Sequence, residues 1–251
     1  MRQDMKHSKK YSYISGKQVT DAKSGTRFYD FAGVKLPSVT TILAKTKNQE
    51  YLTAWKNKVG HEKAESIKNI SSQRGTSMHK FLESHITDLG YDDLTPIGCE
   101  AKPMAEKIIE VGLAPVSEIY GSEVMLHYPG LYAGSTDLVC MHNDMETIVD
   151  FKQSNRPKRE EWIEDYYLQI AAYAMAHDAC YGSTIRQGVI MICTPDLYYQ
   201  EFRITDQGLR SYKHLFLKRL DQYNELIRDE KEQAKVDTAV LLEEFSKDKV
   251  S

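Results

Sequence analysis

Hydrophobic and polar positions along this 251-residue chain follow two periods, and the periods fall in blocks. Near the start, YSYI (11–14) and RFYDFAGV (27–34) cluster strand formers around the polar stretch GKQVTDAKSG, which predicts an N-terminal hairpin. LPSVTTILAKT (36–46) then opens a helical region, with Pro37 and Ser38 or Thr40 as the start signal, and EYLTAWKNKVGHEKAESIKN (50–69) continues it. A further helix is predicted over 71–90, where Met78, Leu82, Ile86 and Leu89 recur at steps of four and three and Gly90 supplies a stop. After a helical stretch at 102–111 the pattern turns to β-formers. SEIYGSEVMLHY (117–128), GLYAGSTDLVCMH (130–142) and ETIVDFKQ (146–153) read as consecutive strands with turns at Pro129–Gly130 and Asn143–Asp144. A strong helical pattern over 158–182 ends near Gly182, VIMICTP (189–195) and YYQEFRIT (198–205) give two more strands, and Asp206 is placed to cap a long final helix over 207–230 with a polar tail.

Helices, three strands, a helix, two strands and a helix predict one mixed α/β domain over residues 1–251, a central mixed sheet flanked by helices. Its parts would be an N-terminal hairpin (1–35), a helical elaboration (36–112), a core (113–205) and a C-terminal helix and tail (206–251).

Composition narrows the class of protein. A hydrophobic fraction of 41% and a charged fraction of 27% are those of a soluble globular chain. No apolar run is long enough to span a bilayer, and the basic N-terminus lacks the apolar stretch of a secretory signal, so a cytoplasmic location without membrane association is expected. A net charge of −3 argues against a nonspecific nucleic-acid coat and leaves room for a local basic groove. Cys99, Cys140, Cys180 and Cys193 are widely spaced and form no CxxC pair, so reduced, buried side chains are expected and no iron–sulfur cluster.

Candidate chemistry centres on VDFKQ (149–153). Residues i and i+2 of a strand share a face, so Asp150 and Lys152 point one way while Val149 and Phe151 pack the other. The same spacing at Asp4–Lys6 and Asp229–Lys231 lies in polar segments, where solvated charge is sufficient explanation. A hairpin through Asn143–Asp144 brings Asp137 near Asp150, and two carboxylates repel unless a cation lies between them. Oxygen ligands of this kind suit Mg2+ or Mn2+, and a neighbouring lysine would stabilise charge on a phosphate. The competing reading is an Asp150–Lys152 ion pair with Asp137 facing solvent. His79 and Glu83 share a helical face behind Arg74–Gly75, and Gln169 and Tyr173 share a face of the helix that follows the Asp-x-Lys strand.

The ordered set RGTSMH (74–79), SEV (122–124), GSTD (134–137), DFK (150–152) and QIAAY (169–173) resembles the PD-(D/E)xK nuclease superfamily, in its RecB-like exonuclease branch. LPSVTTIL (36–43) with Trp55 resembles the group of the mitochondrial genome maintenance exonucleases and their phage relatives. The resemblance runs in segment order from about residue 27 to 204 and implies a restriction-endonuclease-like α-β-β-β-α-β core. It implies that Asp137, Asp150, His79 and the Phe151 carbonyl hold Mg2+ or Mn2+, with Glu123 either a further metal contact or an exposed strand-end carboxylate. Lys152 would position water or neutralise the phosphate, and Gln169 and Tyr173 would brace the site and touch DNA backbone. Substrate contacts would also come from Arg74, Ser154, Arg156 and Lys158. Family members often carry Thr or Ser directly after the lysine, whereas this chain has Gln153 and then Ser154. Arg159 and the lysines 56, 58, 63 and 68 would guide the strand, with Tyr51 and Trp55 either stacking bases or, for Trp55, packing in the core.

The function so implied is a metal-dependent DNA exonuclease, a hydrolase acting on free, single-stranded ends in replication, recombination or repair, with replication or recombination proteins as possible partners. A host-cytoplasmic phage enzyme fits the lack of a mitochondrial targeting segment. The alternatives are a non-catalytic DNA-binding module of the same fold and a site- or structure-specific endonuclease. Retention of Asp137, Asp150 and Lys152 weighs against the first, and cutting of closed circular DNA would mark the second.

Overall fold

Short strand-forming segments at the N-terminus and long ones in the middle of the chain fold into two separate sheets. The computed structural model describes residues 5–21 and 25–247, with the side chains of Tyr51 and of 236–247 outside that description, as is Asp4. Lys6–His7 (β1) pairs in parallel with a later strand, whereas Lys17–Thr20 (β2), Arg27–Phe31 (β3) and Val34–Pro37 (β4) make a three-stranded antiparallel sheet. The hairpin predicted from YSYI therefore forms elsewhere: β2 comes from the stretch read as a polar connection. Tyr11 and Tyr13 instead pack as single rings against His177 and Tyr181, and Tyr13 hydrogen-bonds His177 Nε2 at 3.2 Å.

Ser38 caps Val39–Thr46 (α1), its hydroxyl accepting from the Thr41 amide at 3.0 Å. Glu50–Val59 (α2) and His61–Thr87 (α3) are separated by Gly60 at φ +92°, a conformation that suits glycine. The helical break thus falls at Gly60, and Arg74–Gly75 lies inside α3 instead of at a helix start. Asp88 in the left-handed region ends α3 two residues before Gly90, so Leu89 leaves the helix face and is 78% exposed. Pro96–Lys107 (α4) starts earlier than the predicted 102–111 because Thr95 caps it and Pro96 fits the first turn, and a π-helical turn, Ile108–Gly112, follows.

Val116–Tyr128 (β5), Tyr132–His142 (β6) and Met145–Gln153 (β7) form the expected antiparallel meander. Asn143 and Asp144, at φ +49° and +60°, make its second turn. After a short 3-10 turn, Glu164–Tyr181 (α5) crosses over to Gln187–Cys193 (β8), parallel to β7, and Tyr199–Thr205 (β9) returns antiparallel. The main sheet has the order β1-β5-β6-β7-β8-β9. Asp206–Lys247 (α6) closes the chain and is helical through the stretch expected as a tail.

Helices cover both faces. Leu138, Cys140, Val149, Phe151, Val189 and Met191 meet α3 and α4, whereas Val139, Ile148, Ile190 and Ile192 meet α5 and α6. A mixed α/β fold with a central mixed sheet flanked by helices is therefore what the chain adopts. Cys140 and Cys193 are buried, but Cys99 is exposed and Cys180 half-buried, so the expectation of four buried thiols holds for two.

At Gly188 the crossover helix comes so close that an added Cβ would lie 2.2 Å from Ile170 Cγ2. Gly188→Ala is therefore expected to destabilise the fold by about 1–3 kcal/mol, read as a lower urea midpoint with an unchanged slope.

Candidate active site

The ladder between β6 and β7 stops at Leu138–Val149, although β6 stays paired with β5 as far as Tyr132 and β7 with β8 as far as Gln153. The two strands part at this point, and side chains of β6 take over the freed backbone groups. Asp137 Oδ2 accepts from the Phe151 amide at 2.5 Å, and Thr136 Oγ1 donates to the Val149 carbonyl at 3.4 Å. The β5–β6 pairing also skips one row: Ser122 faces Leu138 and Val124 faces Thr136, which leaves Glu123 opposite Asp137. Glu123 sits at φ +51°, a left-handed conformation that costs about 1–3 kcal/mol for a non-glycine residue. Three acidic residues, Glu123, Asp137 and Asp150, thus lie on three neighbouring strands at the row where the sheet opens.

Helix α3 crosses this opening. His79 Nδ1 lies 3.4 Å from Asp137 Oδ1, and the imidazole stands edge-on to the Phe151 ring at 6.2 Å between centroids. Arg74, five residues earlier, is 6% exposed and donates to Gln153 Oε1 at 3.1 Å, Glu100 Oε2 at 2.9 Å and Asn155 Oδ1. Its guanidinium ties α3 to the exit of β7, to the loop after it and to α4. Gly75 lets the same approach happen, since a Cβ there would already be 3.3 Å from Gln153 Cγ.

Helix α5 braces the other side. Gln169 Nε2 donates to Asp150 Oδ1 at 3.0 Å and to the Tyr173 hydroxyl at 3.2 Å. Tyr173 is 2% exposed and backs Gln169 from the core. Gly134 makes room for that ring, because a Cβ at 134 would lie 2.5 Å from Tyr173 Cε1. Asp150 Oδ2 is buried, accepts no hydrogen bond and meets only the Lys152 ammonium as an ion pair. Asp150 is 1% exposed and Lys152 21%, so the pair is shielded at its carboxylate and open at its ammonium.

The charges shift one another strongly. Burial opposes the charge on His79, but the Asp137 charge outweighs it and raises the imidazole to about 9. Asp137 is held below the usual carboxylate range because His79 and Lys152 outweigh its burial. Asp150 is pushed up to about 6 by burial and by Asp137, against the pull of Lys152. Glu123 rises to about 7 through desolvation and the Asp137 charge. Lys152 is raised although burial opposes it, because Asp150 and Asp137 hold its proton.

Ligand atoms of His79, Glu123 and Asp137 lie within 4.8 Å of one another, a carboxylate-rich set with one imidazole that suits a hard divalent cation. Among the described residues this is the one such group, and it includes Glu123, while Asp150 is engaged by Lys152 and Gln169. The buried Asp150 Oδ2, without a hydrogen-bond donor and held by the Lys152 ammonium, is an acidic oxygen one strand over from Asp137. The residues present fit Mg2+ or Mn2+. Above them opens a cleft of about 490 Å3 lined by Gly75, Thr76, His79, Glu123, Lys152 and Gln153 among others.

Other expected contacts lie along the loop after β7. The Ser154 hydroxyl donates to the Arg156 carbonyl at 2.6 Å, which shapes the loop. Arg156 is exposed, and half-buried Lys158 is anchored through its amide to Gln200 Oε1 at 2.6 Å. Arg159 stacks on Trp162. Of the lysines before α3's middle, 58, 63 and 68 are exposed, with Lys68 paired to Glu65, and Trp55 is only half-buried. The stacking expectation for Tyr51 lies outside the described residues. Glu100 and Asn155, the partners of Arg74, carried no signal in the sequence, because nothing local ties a helix to a loop eighty residues away.

No family model matches the chain, and no curated protein does. Among solved structures, an exonuclease candidate from Eubacterium rectale is 14% identical over 61% of this chain and 67% of that one, with a TM-score of 0.43. LHK-Exo in complex with dAMP is 18% identical over 65% of this chain and 84% of its own, at 0.36. The alkaline exonuclease LHK-Exo from Laribacter hongkongensis is 16% identical over 62% and 84%, at 0.29. Each is a partial likeness of backbone, and the side-chain geometry above stands apart from it.

Because His79 carries a proton up to about 9 and Glu123 up to about 7, a cation entering this group must displace protons. Mn2+ affinity is expected to rise by well over tenfold from about pH 6 to pH 7, where both groups give up a proton, and by roughly tenfold from pH 7 to pH 8, with proton release in calorimetry run in two buffers. An affinity flat across that range would contradict the coupling.

Proposed function

We propose that this protein is a divalent-metal-dependent deoxyribonuclease, an exonuclease that hydrolyses phosphodiester bonds from free, single-stranded DNA ends during replication, recombination or repair. The observation that carries this reading is the meeting of Glu123, Asp137 and His79 with the Asp150–Lys152 pair at one opening in the sheet, under one cleft. An ion pair serving stability alone would need neither a second carboxylate beside it nor a strained third. Buried like charges of this kind cluster where chemistry is done.

His79, Glu123 and Asp137 would hold Mg2+ or Mn2+, with Asp150 and the Phe151 carbonyl completing the protein's share. When bound, the cation supplies a Lewis acid for the phosphate and acidifies the attacking water. Lys152 keeps its proton at neutral pH, so its ammonium is suited to neutralise the pentacovalent phosphate and not to act as a base. Water adds at phosphorus, the bond from phosphorus to the 3′-oxygen breaks, and the product carries a 5′-phosphate. Gln169, backed by Tyr173, holds Asp150 in place, and Arg74 fixes α3 so that His79 stays over Asp137. Arg156, Lys158 and the lysines of α2 and α3 would supply cations for the DNA backbone, a role that their exposed or half-exposed positions allow.

Digestion of end-labelled linear oligonucleotides in Mg2+ or Mn2+ tests the proposal. Trimming is expected on linear DNA, with none in chelator and none on covalently closed circles. Lys152→Ala and Asp150→Asn should each lose about 10^3-fold or more in rate while retaining DNA in a gel-shift assay. If neither metal supports trimming by the unaltered protein, the assignment fails.

A further inference from the structure

Lys152 has a second neighbour that the ion pair with Asp150 hides. Tyr166 lies in the first turn of α5, three residues before Gln169 and seven before Tyr173, so the three side chains share the helix face that looks onto the end of β7. The Lys152 ammonium lies 5.3 Å from the centroid of the Tyr166 ring, within reach of the ring's negative face. Asp150 and Lys152 are thus each met by α5, the carboxylate by Gln169 and the ammonium by Tyr166.

We propose that Tyr166 is a positioning residue for Lys152: its ring holds the ammonium at the floor of the cleft independently of Asp150. The proposal rests on the nuclease reading above only for its kinetic arm. Lysine is a flexible chain with a compact charge, and a single carboxylate partner fixes its distance but not its direction. A ring face on another side removes that freedom. The ammonium then stays aimed at the cleft even when the Asp150 carboxylate is drawn to another cation. The contact uses the ring and not the hydroxyl, because burial holds the phenol's proton in place and leaves it neutral. Phenylalanine therefore retains the function and leucine loses it.

The rival account, in which Tyr166 only packs against the core, predicts the opposite pattern for Lys152 itself. Protein labelled with 13C at the lysine ε-carbons reads this without metal or substrate. The Lys152 signal, identified by its loss in Lys152→Ala, is expected to be shifted upfield by the ring in the unaltered protein and in Tyr166→Phe, and to return to the common lysine position in Tyr166→Leu. In the digestion assay, Tyr166→Leu is expected to lower kcat about 10-fold with little change in KM, and Tyr166→Phe to stay within about 3-fold of the unaltered protein. Tyr166→Met replaces the leucine variant if thermal melting shows that one unfolded. An unshifted Lys152 signal in the unaltered protein overturns the proposal. So does a phenylalanine variant as impaired as the leucine one. Absence of any cleavage by the unaltered protein would fail the nuclease reading alone, and the lysine signal would still decide the role of Tyr166.

Discussion

The hydrogen bond from the Phe151 amide to the Asp137 carboxylate holds the point where β6 and β7 separate, and the cleft exists because they separate there. Had the ladder run one row further, Asp137 and Asp150 would stand directly opposed across it, two like charges in a dry sheet. Instead β6 turns its side chains into substitutes for its own backbone, so the Phe151 amide keeps a partner whose loss would cost about 1–3 kcal/mol. The outer edges of both strands remain paired, which confines the disruption to a single row of the sheet.

Two helices then fix what the opening exposes. α3 is fastened at Arg74 and Gly75, and that fastening sets the height of His79 over Asp137. α5 reaches from the other face with Gln169, and the buried Tyr173 keeps the amide from rotating away. The result is two carboxylates flanked by an imidazolium and an ammonium, each cation holding its proton against burial because of the carboxylates. Burial alone would discharge most of them.

Much of this was legible in the order of residues. The meander over 116–153 was visible because strand formers end cleanly at Gly130 and Asn143–Asp144, and the shared face of Asp150 and Lys152 follows from the period of a strand. Ser38 announced α1 for the same local reason. What stayed hidden was whatever depends on distant partners. β2 looked like a linker because Lys17–Thr20 has only one apolar residue and gains its pairing from β3. α3 looked like two helices, ending near 69 and restarting at 71, because Ser71 and Ser72 read as a helix start, yet it runs unbroken from His61 to Thr87. The three acceptors of Arg74, two of them some eighty residues away, left no local sign. Tyr166 drew no notice beside Gln169, since nothing local marks which tyrosine of a tyrosine-rich helix faces a lysine.

Glu123 holds a left-handed backbone in the middle of a strand, and glycine would sit there without strain. A campaign that ranked variants by melting temperature would therefore favour Glu123→Gly, and the winners would lack one acid of the trio. Heat tolerance and retention of the carboxylate pull this position in opposite directions.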